Sequence, residues 1–243
     1  MWIFCGGMKR SGSTLQYQIA SQLVEQAGIG IRIKWYSSSQ FPELRDKYTG
    51  VHRHKVFKSH DCTPEIAREI SEGDALGFHI YRDLRDVIAS QMQMSRVTFN
   101  QLWSAGFLQE CVENYSQWTA LERVASMRYE DIVQDLPRLV HLMVKHIGLG
   151  VSREECKRIA ADFDLESQRS RIEESKQKQC FERVAAIGDD LLFDPHSLLH
   201  SNHIQSGRSG VWRGILTPEE ARRVDVTFGD WLYRHGYSLG SRV

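Results

Sequence analysis

The sequence has no excess charge of either sign and no long apolar run. Among its 243 residues, 31 Lys and Arg balance 31 Asp and Glu, so the formal net charge is zero. We therefore do not expect nucleic-acid binding through bulk positive charge. No apolar run approaches the roughly 20 residues that span a bilayer, and a strand-like run begins at Trp2, so neither membrane insertion nor a signal peptide is expected.

Cysteine is scarce, and the pattern of metal-binding residue types is weak. The five cysteines are scattered along the chain and form no C-x-x-C pair, and the ten histidines form no H-E-x-x-H set. This usage is typical of reduced thiols in a cytoplasmic protein. It predicts a cytoplasmic location and no metal site.

Short apolar runs alternate with helix-spaced apolar stripes along the chain. This alternation predicts one α/β domain over residues 1–243, with a central parallel sheet and helices on both faces. The predicted strands lie at 2–5, 29–36, 55–60, 74–82 and 125–129, and the main predicted helices at 15–27, 63–71, 102–124, 132–147 and 217–232. Polar loops are predicted at 37–54 and 185–212.

The stretch Gly6–Thr14 is a glycine-rich loop between the first predicted strand and the first predicted helix. From Gly7 it has the G-x-x-x-x-G-S-T spacing of a P-loop, with Ser13 at the position of the usual lysine. Glycines let a backbone approach an anion closely, and a helix start presents unpaired N–H groups. An ordinary glycine turn is the alternative. The residues predicted to hold an anion are Lys9, Arg10, Ser11, Gly12, Ser13 and Thr14.

Two further motifs follow predicted strands. Arg82 ends the strand at 74–82, and Ser90 lies eight residues later in a predicted helix, so the two could share one phosphate. The tripeptide Lys58–His60 ends another strand, where His60 could act as a general base beside Lys58. The alternatives are an Arg/Asp cluster that caps a helix and a loop histidine without a chemical role.

Together the three motifs resemble those of the sulfotransferases that use 3′-phosphoadenosine 5′-phosphosulfate (PAPS). The run Arg10–Thr14 resembles their 5′-phosphosulfate loop, and the run Arg82–Ser90 resembles their 3′-phosphate motif, R-x-x-R/K-D-x-x-x-S. The run Lys58–His60 is similar to the K-[T/S]-H tripeptide that carries the catalytic base. Tyr129 begins a match to Y-E-D, and Gly207 begins a match to the G-x-x-G-x-W of their late loop.

The resemblance implies a P-loop-type three-layer α/β/α fold with a helical C-terminal part and a late loop that closes over the cofactor. It implies transfer of a sulfuryl group from PAPS to a hydroxyl or amine of a small-molecule acceptor, with PAP as product and no metal. His60 would be the base, and Lys58 and Arg10 would neutralise charge. Tyr129 would lie near the adenine, and Gly207 and Arg208 would belong to the closing loop.

Some positions depart from the family pattern. Arg10 stands where the cytosolic members usually have lysine, Leu15 replaces a tryptophan that often stacks on adenine, and Gln205–Ser206 stands where many members have Arg-Lys. The K-S-H tripeptide favours a small-molecule alcohol, whereas Arg10 favours a carbohydrate. The acceptor and a homo-oligomeric state both stay open. A P-loop kinase or NTPase, or a non-catalytic PAP-binding protein, is the alternative function.

Overall fold

The computed structural model describes residues 1–178, 181–183, 192–200 and 207–240. Its strands are β1 (Trp2–Gly7), β2 (Gly30–Arg32), β3 (His54–Lys58), β4 (Ala75–Tyr81), β5 (Val124–Arg128), β6 (Glu182–Arg183) and β7 (Leu192–Phe193). Its α-helices are α1 (Ser13–Gln26), α2 (Phe41–Lys47), α3 (Pro64–Ser71), α4 (Leu84–Ser95), α5 (Phe99–Ser104), α6 (Phe107–Thr119), α7 (Tyr129–Gln134), α8 (Leu136–Ile147), α9 (Arg153–Ala161), α10 (Leu165–Gln177) and α11 (Pro218–Arg234). Two 3₁₀ turns cover Ser38–Gln40 and Val211–Gly214.

A parallel sheet with the strand order β2-β3-β1-β4-β5 forms the centre of the molecule. In this register Cys5 of β1 lies between Lys58 of β3 and Phe78 of β4. The carboxyl ends of the three central strands therefore meet at one edge of the sheet. This is the edge at which ligands bind in open α/β folds.

The side chains of β1 alternate between two buried layers, because successive residues of a strand point to opposite faces of the sheet. Trp2 and Phe4 pack with Phe41 of α2 on one face. Ile3 and Cys5 pack on the other face, with apolar side chains from α1, α8 and α9. The predicted arrangement of a central parallel sheet between helices is confirmed.

The C-terminal part adds a further apolar layer beside the sheet edge. Helix α11 begins at a capping box, in which the Thr217 side chain accepts from the Glu220 N–H and the Glu220 carboxylate accepts from the Thr217 N–H. Its buried residues pack against α4, α5 and α6, together with Trp212. This packing holds the segment after residue 207 close to the start of α4.

Several predicted elements are shorter or divided. Strand β2 is shorter than the predicted strand at 29–36: only three residues form it, and Ile33 adds one more hydrogen bond, to Val56. The predicted helix at 102–124 is divided, because Gly106 adopts φ 70 and separates α5 from α6, and it ends earlier than predicted, at Thr119. The helix at 132–147 is also divided, where Asp135 caps α8 and Pro137 lacks the N–H that a continuous helix needs. The loop at 37–54 contains α2, and the loop at 185–212 contains β7.

Three findings bear on the predictions from composition. No helix in the described ranges is both long and apolar enough to cross a membrane. The described residues contain no group of three or more His, Cys, Asp or Glu side chains that could hold a metal ion. Four of the cysteines are free thiols, and Cys180 lies outside the described residues.

Candidate functional site

The glycine-rich loop joins the end of β1 to the start of α1. Gly12 caps α1 with φ 90, and a Cβ at this position would lie 3.3 Å from the ring of Tyr129. A larger residue would therefore need a strained backbone and would crowd Tyr129. The cap contributes no side-chain hydrogen bond to the helix. The first-turn N–H groups of α1 thus remain suited to an anion.

The three hydroxyl-bearing residues of the loop have different environments. The Ser11 hydroxyl lies 2.6 Å from the Met8 carbonyl oxygen and 2.9 Å from that of Ile80, so it fastens the loop to the end of β4. Ser13 and Thr14 are both buried in the first turn of α1. The Thr14 hydroxyl has no hydrogen-bond partner among the described residues, and Thr14 lines a cavity that Arg10, Arg82 and Ser90 also line. A buried hydroxyl of this kind fits a phosphate oxygen as its partner.

Arg10 links the glycine-rich loop to the second motif. Its backbone has φ 67, and its Nε donates a 3.0 Å hydrogen bond to the hydroxyl of Ser90 in α4. Burial and the nearby charge of Arg82 lower the pKa of the Arg10 guanidinium to about 10. An anion beside these two arginines would relieve both effects.

Arg82 connects four parts of the site. Its guanidinium donates to the carbonyl oxygens of Arg10 at 3.2 Å and Arg208 at 2.9 Å. It lies 3.6 Å from the Asp86 carboxylate and packs 4.3 Å above the ring of Tyr129. Its Nε is buried and has no hydrogen-bond partner within the described residues. Arg82 therefore holds together the glycine-rich loop, the Y-E-D segment that begins at Tyr129 and the late segment, residues 207–212, and it keeps one donor for a ligand.

The other charged residues of the second motif hold the scaffold. Arg85 forms buried ion pairs with Asp83 at 2.8 Å and Asp225 at 2.9 Å. Asp86 accepts the N–H groups of Gly210 at 2.7 Å and Trp212 at 2.9 Å. This fastening of the late segment by Asp86 was not part of the sequence prediction. The spacing of the motif alone does not distinguish Arg82, at the cavity, from Arg85, in the core.

A cavity of about 310 Å³ lies beside these groups. Seven of the predicted cofactor-binding residues line it: Arg10, Gly12, Thr14, Arg82, Ser90, Tyr129 and Gly207. Its other lining residues are Leu15, Ile132, Val133, Leu136, Phe163, Asp164, Leu165, Gln168 and Val211. Most of these other lining residues are apolar, and they were not predicted as site residues from the sequence. The apolar stripe that includes Ile132 and Leu136 was a sequence pattern that pointed to some of them. Gln205–Ser206 lies outside the described residues.

His60 lies at the end of β3, next to the glycine-rich loop. Its Nδ1 is 2.9 Å from the carbonyl oxygen of Gly7. A carbonyl can only accept, so Nδ1 carries the proton and Nε2 has the lone pair. Nε2 is 3.5 Å from Nζ of Lys58, and the Trp118 indole N–H donates to the His60 carbonyl oxygen at 3.1 Å. The ring and its backbone are thus both held in place.

Burial keeps His60 and Lys58 from carrying charge easily. Burial and then the charge of Lys58 lower the pKa of His60 to about 3. Burial and then the charge of Arg10 lower the pKa of Lys58 to about 8. His60 is therefore a neutral imidazole at physiological pH, which is the form that accepts a proton.

Two basic residues differ from the sequence prediction. The Lys9 ammonium faces α6, where it lies 2.7 Å from the Glu110 carboxylate, and Lys9 does not line the large cavity. His200 was not predicted, although His196 and His200 have H-x-x-x-H spacing. Burial, and then the charges of Lys58 and Arg10, lower the pKa of His200 to about 4.

Comparison with known proteins gives a family match and similar folds. A family model described as a sulfotransferase domain matches residues 3–236. Retinol dehydratase in complex with androsterone and inactive cofactor PAP has a TM-score of 0.66 at 18% identity, and the match covers 99% of this chain and 82% of that chain. Mouse sulfotransferase SULT7A1 complexed with PAP has a TM-score of 0.68 at 16% identity, with 96% and 84% covered. Curated protein sequences give no significant match.

Proposed function

Because this chain belongs to the sulfotransferase family, we propose that its acceptor is a small molecule and that His60 is the general base. The family match confirms the predicted class of PAPS-dependent sulfotransferase. The observation that carries the proposal is the position of His60. Its proton is fixed on Nδ1 by the carbonyl of Gly7, a residue of the same loop that leads to the cofactor cavity. The base and the anion-binding loop therefore belong to one rigid unit.

The residues that line the large cavity fit a nucleotide with two anionic ends. We assign the 5′-phosphate end to the first-turn N–H groups of α1 and to Ser13 and Thr14. We assign the 3′-phosphate end to Arg82 and Ser90, where Arg82 has an unpaired Nε. Ser11 supports the loop backbone, and the proposed set of cofactor-binding residues omits Lys9, whose ammonium faces Glu110.

The cations are divided between the two ends of this site. Arg10 hydrogen-bonds Ser90, which places its guanidinium beside the proposed 3′-phosphate group. Lys58 is the cation next to His60, and we assign to it the neutralisation of charge near the reacting atoms. The arginine that replaces the usual lysine of the loop thus has a different partner from the one that the resemblance implies.

PAPS supplies the sulfuryl group when it is bound. His60 accepts the proton of the acceptor hydroxyl at Nε2, and Gly7 holds the imidazole orientation during this step. The resulting imidazolium would be unfavourable next to Lys58 alone. A bound anion offsets this repulsion and raises the pKa of both groups, so His60 becomes a stronger base once the cofactor is in place.

The retinol dehydratase structure contains androsterone, and the small-molecule acceptor proposed here is consistent with that complex.

A kinase-like function is less consistent with the geometry. Asp83, the carboxylate after β4, caps α4 by accepting the Arg85 N–H and pairs with the Arg85 guanidinium. This carboxylate is therefore engaged in the scaffold, and the loop has Ser13 at the position of the P-loop lysine.

The test compares His60→Asn with His52→Asn, since His52 is an exposed histidine. PAP formation from PAPS is measured with a panel of phenols, alcohols, amines and monosaccharides, and PAP affinity is measured by calorimetry. We expect His60→Asn to lower kcat by about 100-fold or more and to leave PAP affinity within a few-fold of wild type. His52→Asn should match wild type in both. Unchanged turnover in His60→Asn would remove His60 from the mechanism.

A further inference from the structure

A second, much smaller cavity adjoins His60. It is lined by Gly7, Met8, Lys9, His60, Asp61, Glu110, Cys111 and Asn114. Its volume is about 10 Å³, which accommodates roughly one water molecule. An acceptor that approaches the His60 ring through this cavity must enlarge it.

We propose that Asn114 and the Lys9–Glu110 ion pair select the acceptor, and that the preferred acceptor is a polyhydroxylated small molecule. This inference rests on the proposed role of His60 as the base. One hydroxyl of the acceptor reacts at His60, and a second hydroxyl donates to Asn114. The ion pair covers the cavity and opens when the acceptor enters.

The ion pair is well suited to act as a removable cover. Nζ of Lys9 lies 2.7 Å from the Glu110 carboxylate, and the two side chains are 41% and 53% exposed. The Lys9 ammonium also lies 5.9 Å from the centre of the Phe107 ring. Exposed ion pairs contribute little to stability, so this pair can separate at small cost when an acceptor arrives. Lys9 and Arg10 are neighbours in sequence, but Lys9 lines the small cavity and Arg10 lines the large one.

Asn114 gives the cavity its chemical preference. Its side-chain oxygen is buried and has no hydrogen-bond partner among the described residues. An acceptor with only its reacting hydroxyl would leave this oxygen unpaired, and a buried polar atom without a partner is costly. A second hydroxyl on the acceptor can donate to it. The remaining polar lining, which includes Asp61 and Glu110, is also unfavourable for an apolar ring.

The test uses two pairs of acceptors that differ by one hydroxyl group, phenol with catechol and cyclohexanol with cyclohexane-1,2-diol, and a methyl glucoside as a further polyhydroxylated acceptor. For wild type we expect kcat/KM to favour the richer member of each pair by at least tenfold. In Asn114→Leu this ratio should fall to near one, while PAP affinity stays unchanged. The matched control is Asn100→Leu, because Asn100 is exposed on α5 and far from His60 in sequence. It should retain the wild-type ratio.

The cover is tested with Lys9→Met and Glu110→Gln. Each should raise kcat/KM for the methyl glucoside at least threefold, and the double variant should do no more than either alone, since both remove one ion pair. Lys157→Met breaks the exposed pair with Glu154 and should leave kcat/KM unchanged.

Three outcomes would overturn the acceptor assignment. The first is a wild-type preference for the monohydric members, the second is an unchanged ratio in Asn114→Leu, and the third is turnover of none of the richer acceptors by an enzyme that binds PAP. Unaltered kcat/KM in both Lys9→Met and Glu110→Gln would overturn the role of the cover. Failure to bind PAP at all would instead count against the proposed function itself.

Discussion

The guanidinium of Arg10 donates a 3.0 Å hydrogen bond to the hydroxyl of Ser90, although 80 residues separate them. Arg82 strengthens this connection by donating to the carbonyl oxygen of Arg10. The glycine-rich loop and the start of α4 therefore form one cationic surface before any ligand binds. An anion that enters this surface meets donors that are already oriented, which lowers the cost of ordering them.

Thr14 is the first position at which this account can be tested. Its buried hydroxyl has no partner among the described residues, so we expect a phosphate oxygen to become its partner. Thr14→Val should weaken PAP binding roughly 10- to 100-fold, the effect of one lost hydrogen bond to a charged group. Thr14→Ser should retain most of the affinity. Calorimetry measures both affinities, and Thr119→Val, at the last residue of α6, is the control. Equal PAP affinity in Thr14→Val and wild type would contradict the assignment.

Asp86 is expected to control the late segment rather than the chemistry. Its two carboxylate oxygens accept the Gly210 and Trp212 N–H groups, and an asparagine offers only one acceptor oxygen. Asp86→Asn should therefore lower the free energy of unfolding by roughly 2–3 kcal/mol and speed the release of PAP. Asp230→Asn, at an exposed position of α11, should change stability by less than about 0.5 kcal/mol. Denaturant unfolding and stopped-flow release measure the two effects. A variant as stable as wild type would show that the two N–H bonds are dispensable.

Lys58 should make cofactor binding depend on pH. Burial and the charge of Arg10 lower its pKa to about 8 in the free protein, and a bound anion raises it. PAP affinity is then highest below pH 8. It declines as the pH rises above 8, by up to tenfold per pH unit, until the pH passes the pKa that Lys58 has in the complex with PAP. Calorimetry at pH 7, 8 and 9 measures this decline. Lys58→Arg should remove most of it, because arginine stays charged. A decline of the same size in Lys58→Arg would assign the effect to another group.

His79 should make the folded state sensitive to acid. It is fully buried in β4, neither ring nitrogen has a partner among the described residues, and burial lowers its pKa to about 3. The unfolded chain, with a histidine pKa of about 6.5, binds the proton more readily, so stability falls as pH drops below that value.

At pH 5 this histidine should cost up to about 2 kcal/mol of stability. In His79→Leu, the loss of melting temperature between pH 7.5 and pH 5 should be smaller than in wild type. It should not vanish, since burial also lowers the pKa values of His60 and His200. His52→Leu should keep the wild-type response. An unchanged acid response in His79→Leu would show that His79 is not a source of it.

The central part of the fold was predictable because its signals are local. Strand β1, the glycine-rich loop and α1 follow from an apolar run, a glycine spacing and a helical stripe that are consecutive in the sequence. The positions of Arg82 and Ser90 at the cavity follow from a strand end and the next helix. Where one residue decides an element, prediction was less accurate. Gly106 divides a continuous apolar pattern into α5 and α6 by its backbone conformation alone.

The different contacts made by residues of the same type or charge were not predictable from the sequence. Lys9 and Arg10 are adjacent and have the same charge, but the positive φ of Arg10 helps to direct the two side chains to different partners, Glu110 and Ser90. Arg82 and Arg85 belong to one motif, but only tertiary packing buries Arg85 between Asp83 and Asp225. Asn114 has no sequence signal, because its importance depends on a cavity formed by three separate segments.

The most direct test of the account is a calorimetric titration of the wild-type protein with PAP in the absence of metal, beside ATP with Mg²⁺. We expect PAP to bind without metal and to raise the melting temperature, with stabilisation of roughly 2.7 kcal/mol at a hundred times its Kd. ATP with Mg²⁺ should bind far more weakly. Tight binding of ATP with Mg²⁺ and no binding of PAP would contradict the assignment of the large cavity to PAPS.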